Sequence, residues 1–264
     1  MKTIMITGCA RGMGQLMAET FLADGWRVVA TDVNFSALEG HRFADRFPDR
    51  ALVRRLDVSD YDAWESLLAE VRDLWGGVDV LVNNAGVLLP RFCTNITRRD
   101  IDLQLDVNAR GTIYGTTLGA REMVARGSGH LINIVSIAGI APAPGLGMYC
   151  ASKFAARGFT LSVAYELREK GISVTAICPD AVNTQMVSEH LHNDDAGMVF
   201  SGSLLQAEDV LRAVQRAIRT RPTEIVLPLG RGLTAKLAGF FPALGFWVKD
   251  FFHKKGRKKQ ASLR

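Results

Sequence analysis

The sequence predicts an α/β fold: a doubly wound, mostly parallel, seven-stranded sheet in a single domain with a C-terminal extension. Three observations carry this. Short apolar runs of buried-strand type alternate with helical patterns from the start of the chain to about residue 230. The first such run is followed at once by a glycine-rich loop and an amphipathic helix. Gly, Asn and Asp cluster at the carboxyl ends of the strands, where sheets of this kind form their ligand crevice.

Taken in order, residues 2–6 form the first strand, Thr7-Gly8-Cys9-Ala10-Arg11-Gly12-Met13-Gly14 the loop, and 13–24 the first helix. Glycines there let the backbone turn tightly and approach a pyrophosphate seated on the helix N-terminus. The spacing is Gly-x-x-x-Gly-x-Gly rather than the general Gly-x-Gly-x-x-Gly, and by itself it is weak evidence, since a minority of such loops are plain turns. A second strand, 27–31, ends at Asp32, whose carboxylate suits the two hydroxyls of an adenosine ribose and repels a 2′-phosphate. Arg11 is the one residue placed to hold such a phosphate, so NAD is favoured over NADP. A helix over 35–47 and a strand over 51–56 lead to Asp57-Val58. Ser59 or Asp60 caps a helix over 60–75, and Gly76-Gly77 stops it.

Strand 78–82 ends in Asn83-Asn84-Ala85-Gly86. Residues 97–125 read as one long helix capped by Thr97, with Asn108 in its interior, where asparagine is a poor helix former. That residue is either a local kink holding a water or part of an exposed polar face. Strand 130–135 ends at Ser136, and a glycine- and proline-rich loop, 138–147, precedes a helix running to about Lys170. That helix carries Tyr149-Cys150-Ala151-Ser152-Lys153. A tyrosine and a lysine four apart share one helix face. A phenol that ordinarily titrates near ~10 can be lowered by such an ammonium, and the pair can then move a proton on and off an alcohol oxygen. Strand 172–178 ends at Cys178-Pro179-Asp180; 185–205 suits a mobile substrate lid; a helix over 207–219 and a strand over 224–227 finish the body. His190 and His192, near Asp194 and Asp195, are a candidate metal set. At i, i+2 the histidines do not share a helix face, and no metal is expected.

Composition narrows the class. The net charge of +5 is uneven: residues 249–264 hold seven basic residues against Asp250, and the remaining chain is −1. A near-neutral body argues against nucleic acid as a partner. Cys9, Cys93, Cys150 and Cys178 are scattered without paired spacing and read as reduced thiols of a cytoplasmic compartment. No signal-peptide pattern opens the chain.

Together, Thr7-Gly8-x-x-x-Gly12-x-Gly14, Asn83-Asn84-Ala85-Gly86, Asn108, Ser136 and Tyr149-x-x-x-Lys153 resemble the short-chain dehydrogenase/reductase family over residues 1–230. The resemblance implies a Rossmann-type catalytic domain with Tyr149 as general acid/base. Lys153 would lower its pKa and hold the nicotinamide ribose, Ser136 would orient the substrate oxygen, and Asn108 would fix a relay water. It further implies that Gly8, Arg11, Gly12, Met13 and Gly14 hold the pyrophosphate region and Asp32 the adenosine ribose. Asp57 and Val58 would hold the adenine, Asn84, Ala85 and Gly86 the far ribose region, and Pro179, Val182 and Thr184 the carboxamide. The expected activity is NAD(H)-preferring interconversion of a secondary alcohol and a ketone in a homo-dimer or tetramer. An NADPH-dependent 3-oxoacyl reductase and a non-catalytic dinucleotide-binding scaffold are the alternatives. One departure stands out: the family has Pro-Gly where this chain has Pro179-Asp180, and a buried carboxylate there is costly. Asp180 is therefore expected to point to solvent or to the lid.

Residues 231–264 exceed what the sheet needs. Leu237, Phe240, Phe241, Leu244, Phe246, Trp247, Val248, Phe251 and Phe252 crowd this stretch, and Pro242 starts a second short helix, 242–254. The apolar run is shorter than the ~20 residues needed to span a bilayer. An apolar segment followed by a basic cluster suits peripheral contact with an anionic membrane through 236–264, or a cover over a substrate pocket or subunit contact. Membrane contact and pocket cover both favour a lipophilic alcohol such as a steroid, retinoid or acyl compound.

Overall fold

The computed structural model describes residues 1–263; the side chains of Pro242 and of residues 244–252 lie outside the description. In chain order the elements are β1 (Thr3–Thr7), α1 (Gly12–Ala23), β2 (Arg27–Asp32), α2 (Phe35–Glu39), α3 (Phe43–Arg46), β3 (Ala51–Arg55), α4 (Tyr61–Trp75) and β4 (Val80–Asn83). Then follow α5 (Arg98–Gln104), α6 (Thr112–Arg126), β5 (Gly129–Ile134), α7 (Gly147–Arg168), β6 (Ile172–Pro179), α8 (Gln185–Ser188), α9 (Ala207–Thr220), β7 (Glu224–Leu227), α10 (Leu229–Phe240) and α11 (Pro242–Ser262). The seven strands pair in parallel in the order β3-β2-β1-β4-β5-β6-β7. Strand order reverses between β1 and β4, which places the ligand crevice above their carboxyl ends.

Alternation along the strands feeds two cores. Ile4 and Ile6 of β1 point to one face, where they pack with Met17 and Phe21 of α1 and Val210 and Val214 of α9. Met5 points to the other, towards Trp64, Leu67 and Val71 of α4 and Leu118 and Met123 of α6. Both faces are covered, which is why the central strands are apolar throughout. Trp64 has no exposed surface, and its indole N–H donates to Val58 O at 3.0 Å. Truncating such a side chain costs about 3–5 kcal/mol.

A polar ladder crosses the second core. Asn83 and Asn133 are register partners on β4 and β5, and Asn83 Nδ2 donates to Asn133 Oδ1 at 2.8 Å. Asn133 Nδ2 in turn donates to Thr116 Oγ1 of α6 at 3.0 Å and Thr160 Oγ1 of α7 at 2.8 Å.

Three elements differ from expectation. The helix over 35–47 is broken into α2 and α3, with Arg42 between them at φ 54°, in the left-handed region. The helix over 97–125 is interrupted by a π-helical turn, Leu105–Gly111, that contains Asn108, so the kink is real. Helix α11 continues to Ser262, past the expected residue 254. Among the caps, Asp60 rather than Ser59 closes α4, accepting from Ala63 N at 3.0 Å, and Thr97 forms a capping box with Asp100.

Candidate active site

The glycine loop leaves β1 and enters α1 with Gly8 at φ +74° and Gly12 at φ +60°. A Cβ on Gly14 would lie 2.0 Å from Gly8 O, so only glycine permits this turn. Strand β4 braces the loop from the side. Thr7 Oγ1 accepts from the amides of Asn84 and Ala85, each at 3.0 Å, and Asn84 Nδ2 donates to Thr7 O at 2.8 Å. Asn84 Oδ1 is buried with no hydrogen-bond partner. Asp32 closes the far end: one oxygen accepts from Ala10 N and the other from Asn34 N, both at 2.9 Å. His41, which the sequence reading passed over, places Nε2 2.8 Å from Ala10 O. Arg11 turns towards the lid and pairs with Glu189 at 2.7 Å.

On the floor of the crevice, Asp57 is engaged by Ser59, and Val58 is buried beside the π-helical turn. Met13 packs partly into the core under α1. Pro179 ends β6; Val182 is buried and bridges Leu205; Thr184 lies closest to Gly12 from the lid side.

The chemistry-bearing side chains converge above β4, β5 and β6. Ser136 Oγ accepts from Ala138 N at 3.1 Å and stands near enough to the Tyr149 phenol to favour its ionised form. Lys153, 4% exposed, donates to Ile134 O at 3.1 Å, and its Nζ stands 5.8 Å from the centre of the Tyr149 ring. Asn108 accepts from Val87 N at 2.8 Å and donates to Val87 O at 2.9 Å and Ser152 Oγ at 3.1 Å. A π-helical turn widens the helix by one residue and commonly marks a functional site; here it is what swings Asn108 inward. A Cβ on Gly86 would meet Asn108 Oδ1 at 3.2 Å and Lys153 Nζ at 3.7 Å, so that glycine keeps the space above the pair open.

The electrostatics bear on one expectation. The expected lowering of Tyr149 by Lys153 is set against burial of the phenol. Burial pushes the phenol up to about 12, against the opposing effect of Ser136. Burial also brings Lys153 down to about 8. In the low-dielectric floor each charged form loses its hydration, which raises a phenol and lowers an ammonium.

The lid segment is more ordered than its sequence suggested. It holds α8 and a 3-10 turn, Asp194–Phe200, and is pinned from several sides. His190 Nε2 lies 2.9 Å from Leu88 O, Asn193 Nδ2 donates to Pro90 O at 3.1 Å, and Asp195 accepts from Phe92 N at 3.2 Å. Asp194 pairs with Arg257 at 3.2 Å. Among the described residues no group of three or more His, Cys, Asp or Glu is arranged to hold a metal ion.

Of the two expected surroundings for Asp180, the structure shows the lid and not solvent. The residue is 8% exposed and so turned from solvent; its carboxylate faces the lid, where a Cβ on Gly202 would lie 2.8 Å from Oδ2, and accepts from Arg231 Nε of α10 at 2.7 Å. Arg231 Nη2 donates onward to Ser201 Oγ at 2.6 Å. The cost of burying the carboxylate is offset by this partner. A signal existed in the sequence: an acidic residue in place of glycine needs a base, and the extension begins with one.

The extension divides in two. Leu229, Leu233, Leu237, Phe240 and Phe241 are exposed. The expectations for Leu244, Phe246, Trp247, Val248, Phe251 and Phe252 lie outside the described residues. The end of α11 packs on the lid. No described helix is long and apolar enough to cross a membrane.

A parallel doubly wound sheet, a glycine loop on its first crossover and a Ser, Tyr and Lys set above its strand ends define a nucleotide-dependent dehydrogenase. A family profile described as short chain dehydrogenase matches residues 2–195. Sorbitol dehydrogenase of Cereibacter sphaeroides is 37% identical over 196 residues, 74% of each chain. An NADP-dependent 3-hydroxy acid dehydrogenase of Salmonella typhi is 34% identical over 218 residues, 80% of this chain and 86% of that one. The solved structure of a short-chain dehydrogenase from Streptomyces avermitilis superposes with a TM-score of 0.80 at 25% identity, covering 95% of this chain and 96% of the other. The chain belongs to the short-chain dehydrogenase/reductase family and is an NAD(P)-dependent oxidoreductase acting on CH–OH groups.

Proposed function

We propose that the protein interconverts a secondary alcohol and a ketone, with Tyr149 carrying the proton. The observation behind this is the convergence of Ser136, Tyr149 and Lys153 on one point of the crevice wall. The dinucleotide, when bound, supplies hydride acceptance and donation. The glycine loop, Asp32 and the unpartnered Asn84 Oδ1 fit such a group. Ser136 holds the substrate oxygen against Tyr149. Tyr149 Oη gives its proton to a carbonyl oxygen in reduction and receives the hydroxyl proton in oxidation. Lys153, near neutrality in its pKa, holds charge beside the ring, and Asn108 fixes the backbone of 87 against α7. Tyr149→Phe tests this: kcat on a panel of 2-alkanols, 2,3-butanediol and sorbitol should fall about 10³-fold, with NADH still bound. Undiminished turnover would end the assignment.

NAD is the preferred cofactor in this reading. Asp32 ends β2 beside the glycine loop, where its charge would disfavour a 2′-phosphate, while Arg11 is paired with Glu189, which supports this preference. Tighter binding of NADPH than NADH would reverse the preference, and the Salmonella relative carries NADP in its name.

The substrate is read as lipophilic because Tyr149 sits in an apolar cluster with Leu88, Leu146, Cys150, Val199 and Phe200. The relative named for sorbitol favours a second reading, a small polyol. The panel separates them. The exposed apolar side chains of α10 and exposed Lys254, Lys255 and Lys258 support peripheral contact with an anionic membrane. Co-sedimentation with phosphatidylglycerol vesicles but not phosphatidylcholine vesicles is the expected result. Four free cysteines, three of them buried, suit a cytoplasmic setting. Exposed Phe154 and Tyr165 on α7 suit assembly with further copies of the chain, which light scattering would count.

A further inference from the structure

The turn Asp194–Phe200 has two working sides. Its inner side gives Ala196, Val199 and Phe200 to the apolar cluster that holds Tyr149 and Cys150. Its outer side lies under the end of α11. A Cβ on Gly256 would fall 2.0 Å from Gly197 O, so the helix and the turn meet backbone to backbone. Gln260, 1% exposed, spends its amide on two lid carbonyls, His190 O at 3.0 Å and Asn193 O at 2.8 Å. Lys259 Nζ takes a third, Gly202 O, at 2.6 Å. From the other end, Arg231 joins Asp180, at the end of β6, to Ser201, where the turn finishes. Ordinary apolar packing would let the helix slide. Polar bonds to named backbone carbonyls admit one register, and a buried carbonyl stripped of its donor is costly.

We propose that the end of α11 is the outer half of the substrate lid, and that Gln260 and Arg231 are positioning residues that set the stance of the lid over Tyr149. The inner face so held is apolar, so the site takes an alcohol whose non-reacting substituent is apolar. This rests on reading Tyr149 as the reacting side chain.

The test is hydrogen–deuterium exchange on the full chain with saturating NADH, comparing wild type with Gln260→Leu. Peptides from 185–205 should exchange at least tenfold faster, with those covering β4 and β5 unchanged. For the 2-alkanol that wild type oxidises best, KM should rise at least tenfold with kcat within threefold. Gln260→Asn, one methylene shorter, should show the same pattern more weakly and serves if the leucine variant fails to fold. Lid exchange within twofold of wild type, or equal loosening of lid and sheet, would overturn the proposal. The outcome for Tyr149→Phe leaves the exchange measurement untouched, so the two readings fail separately.

Discussion

The glycine loop and the lid face each other across the crevice, and they are held by different kinds of contact. The loop is held by the strand ends beside it, among them Asn84, 77 residues further along the chain than Thr7. Thr7, Asn84 and Asp32 bind its backbone from adjoining strand ends, and Gly14 leaves no room for another residue. The lid is held from outside the strand ends, by the segment after β4 and by Arg231 and Gln260 of the two C-terminal helices. Binding a dinucleotide needs one backbone shape, and short motifs can encode it. Enclosing a particular substrate needs a wall, and any part of the chain that reaches the wall can supply it.

If the loop side is the rigid one, Gly14→Ala should have the largest effect. With 2.0 Å between the new Cβ and Gly8 O, the turn must open. NADH affinity measured by fluorescence should fall at least about 100-fold, roughly 3 kcal/mol. Retention within tenfold would show that the loop yields as the lid does.

The frame beneath both sides carries its own pH limit. His130 of β5 is buried with Nε2 2.8 Å from Thr175 Oγ1, and burial brings it down to about 4. The imidazole is neutral in the fold, whereas the unfolded chain takes up the proton near pH ~6.5. The fold therefore loses up to about 3 kcal/mol as pH falls from ~6.5 to ~4, and none of this loss occurs above that window. Thermal melts should show it, and His130→Asn should remove most of the slope. A wild-type melting temperature independent of pH over that range would count against it.

The smallest effect belongs where loop and lid touch. Arg11 and Glu189 are half-exposed, and such a pair is worth about 0–1 kcal/mol. Glu189→Gln should barely change stability. Freed from its partner, Arg11 should improve NADPH affinity relative to NADH by about threefold, read by titrating both. No change would mean that Arg11 does not face the ribose in either variant.

The same division governs what could be read in advance. The seven alternating strands, the doubly wound sheet and the crevice at its strand ends follow from periodicity and short motifs, and Ser136, Tyr149 and Lys153 from the family's motif set; the strand order is read only from the structure. Asn108 was marked by its poor fit to a helix, and the π-helical turn is the reason for that misfit. The elevated Tyr149 phenol was not legible, because burial is a property of the assembled floor. Nor was Gln260 marked. A lone glutamine in a basic tail carries no local signal, and only tertiary packing shows that it meets two carbonyls. Asp180 lay between these cases: its oddity was visible, but its partner was not.

The Asn83–Asn133 bond has a consequence for precision. It joins facing residues of β4 and β5 one step below the crevice. Directly above Asn83 stand Asn84 to Gly86, beside the dinucleotide groove; three residues above Asn133 stands Ser136. Slipping one strand past the other by a residue, about 3.3 Å, would turn one amide to the opposite face of the sheet and part the two. The pair therefore works as a dowel between two halves of a jig. It aligns the nucleotide-side and proton-side parts before either meets a ligand, with a tolerance finer than the strand repeat.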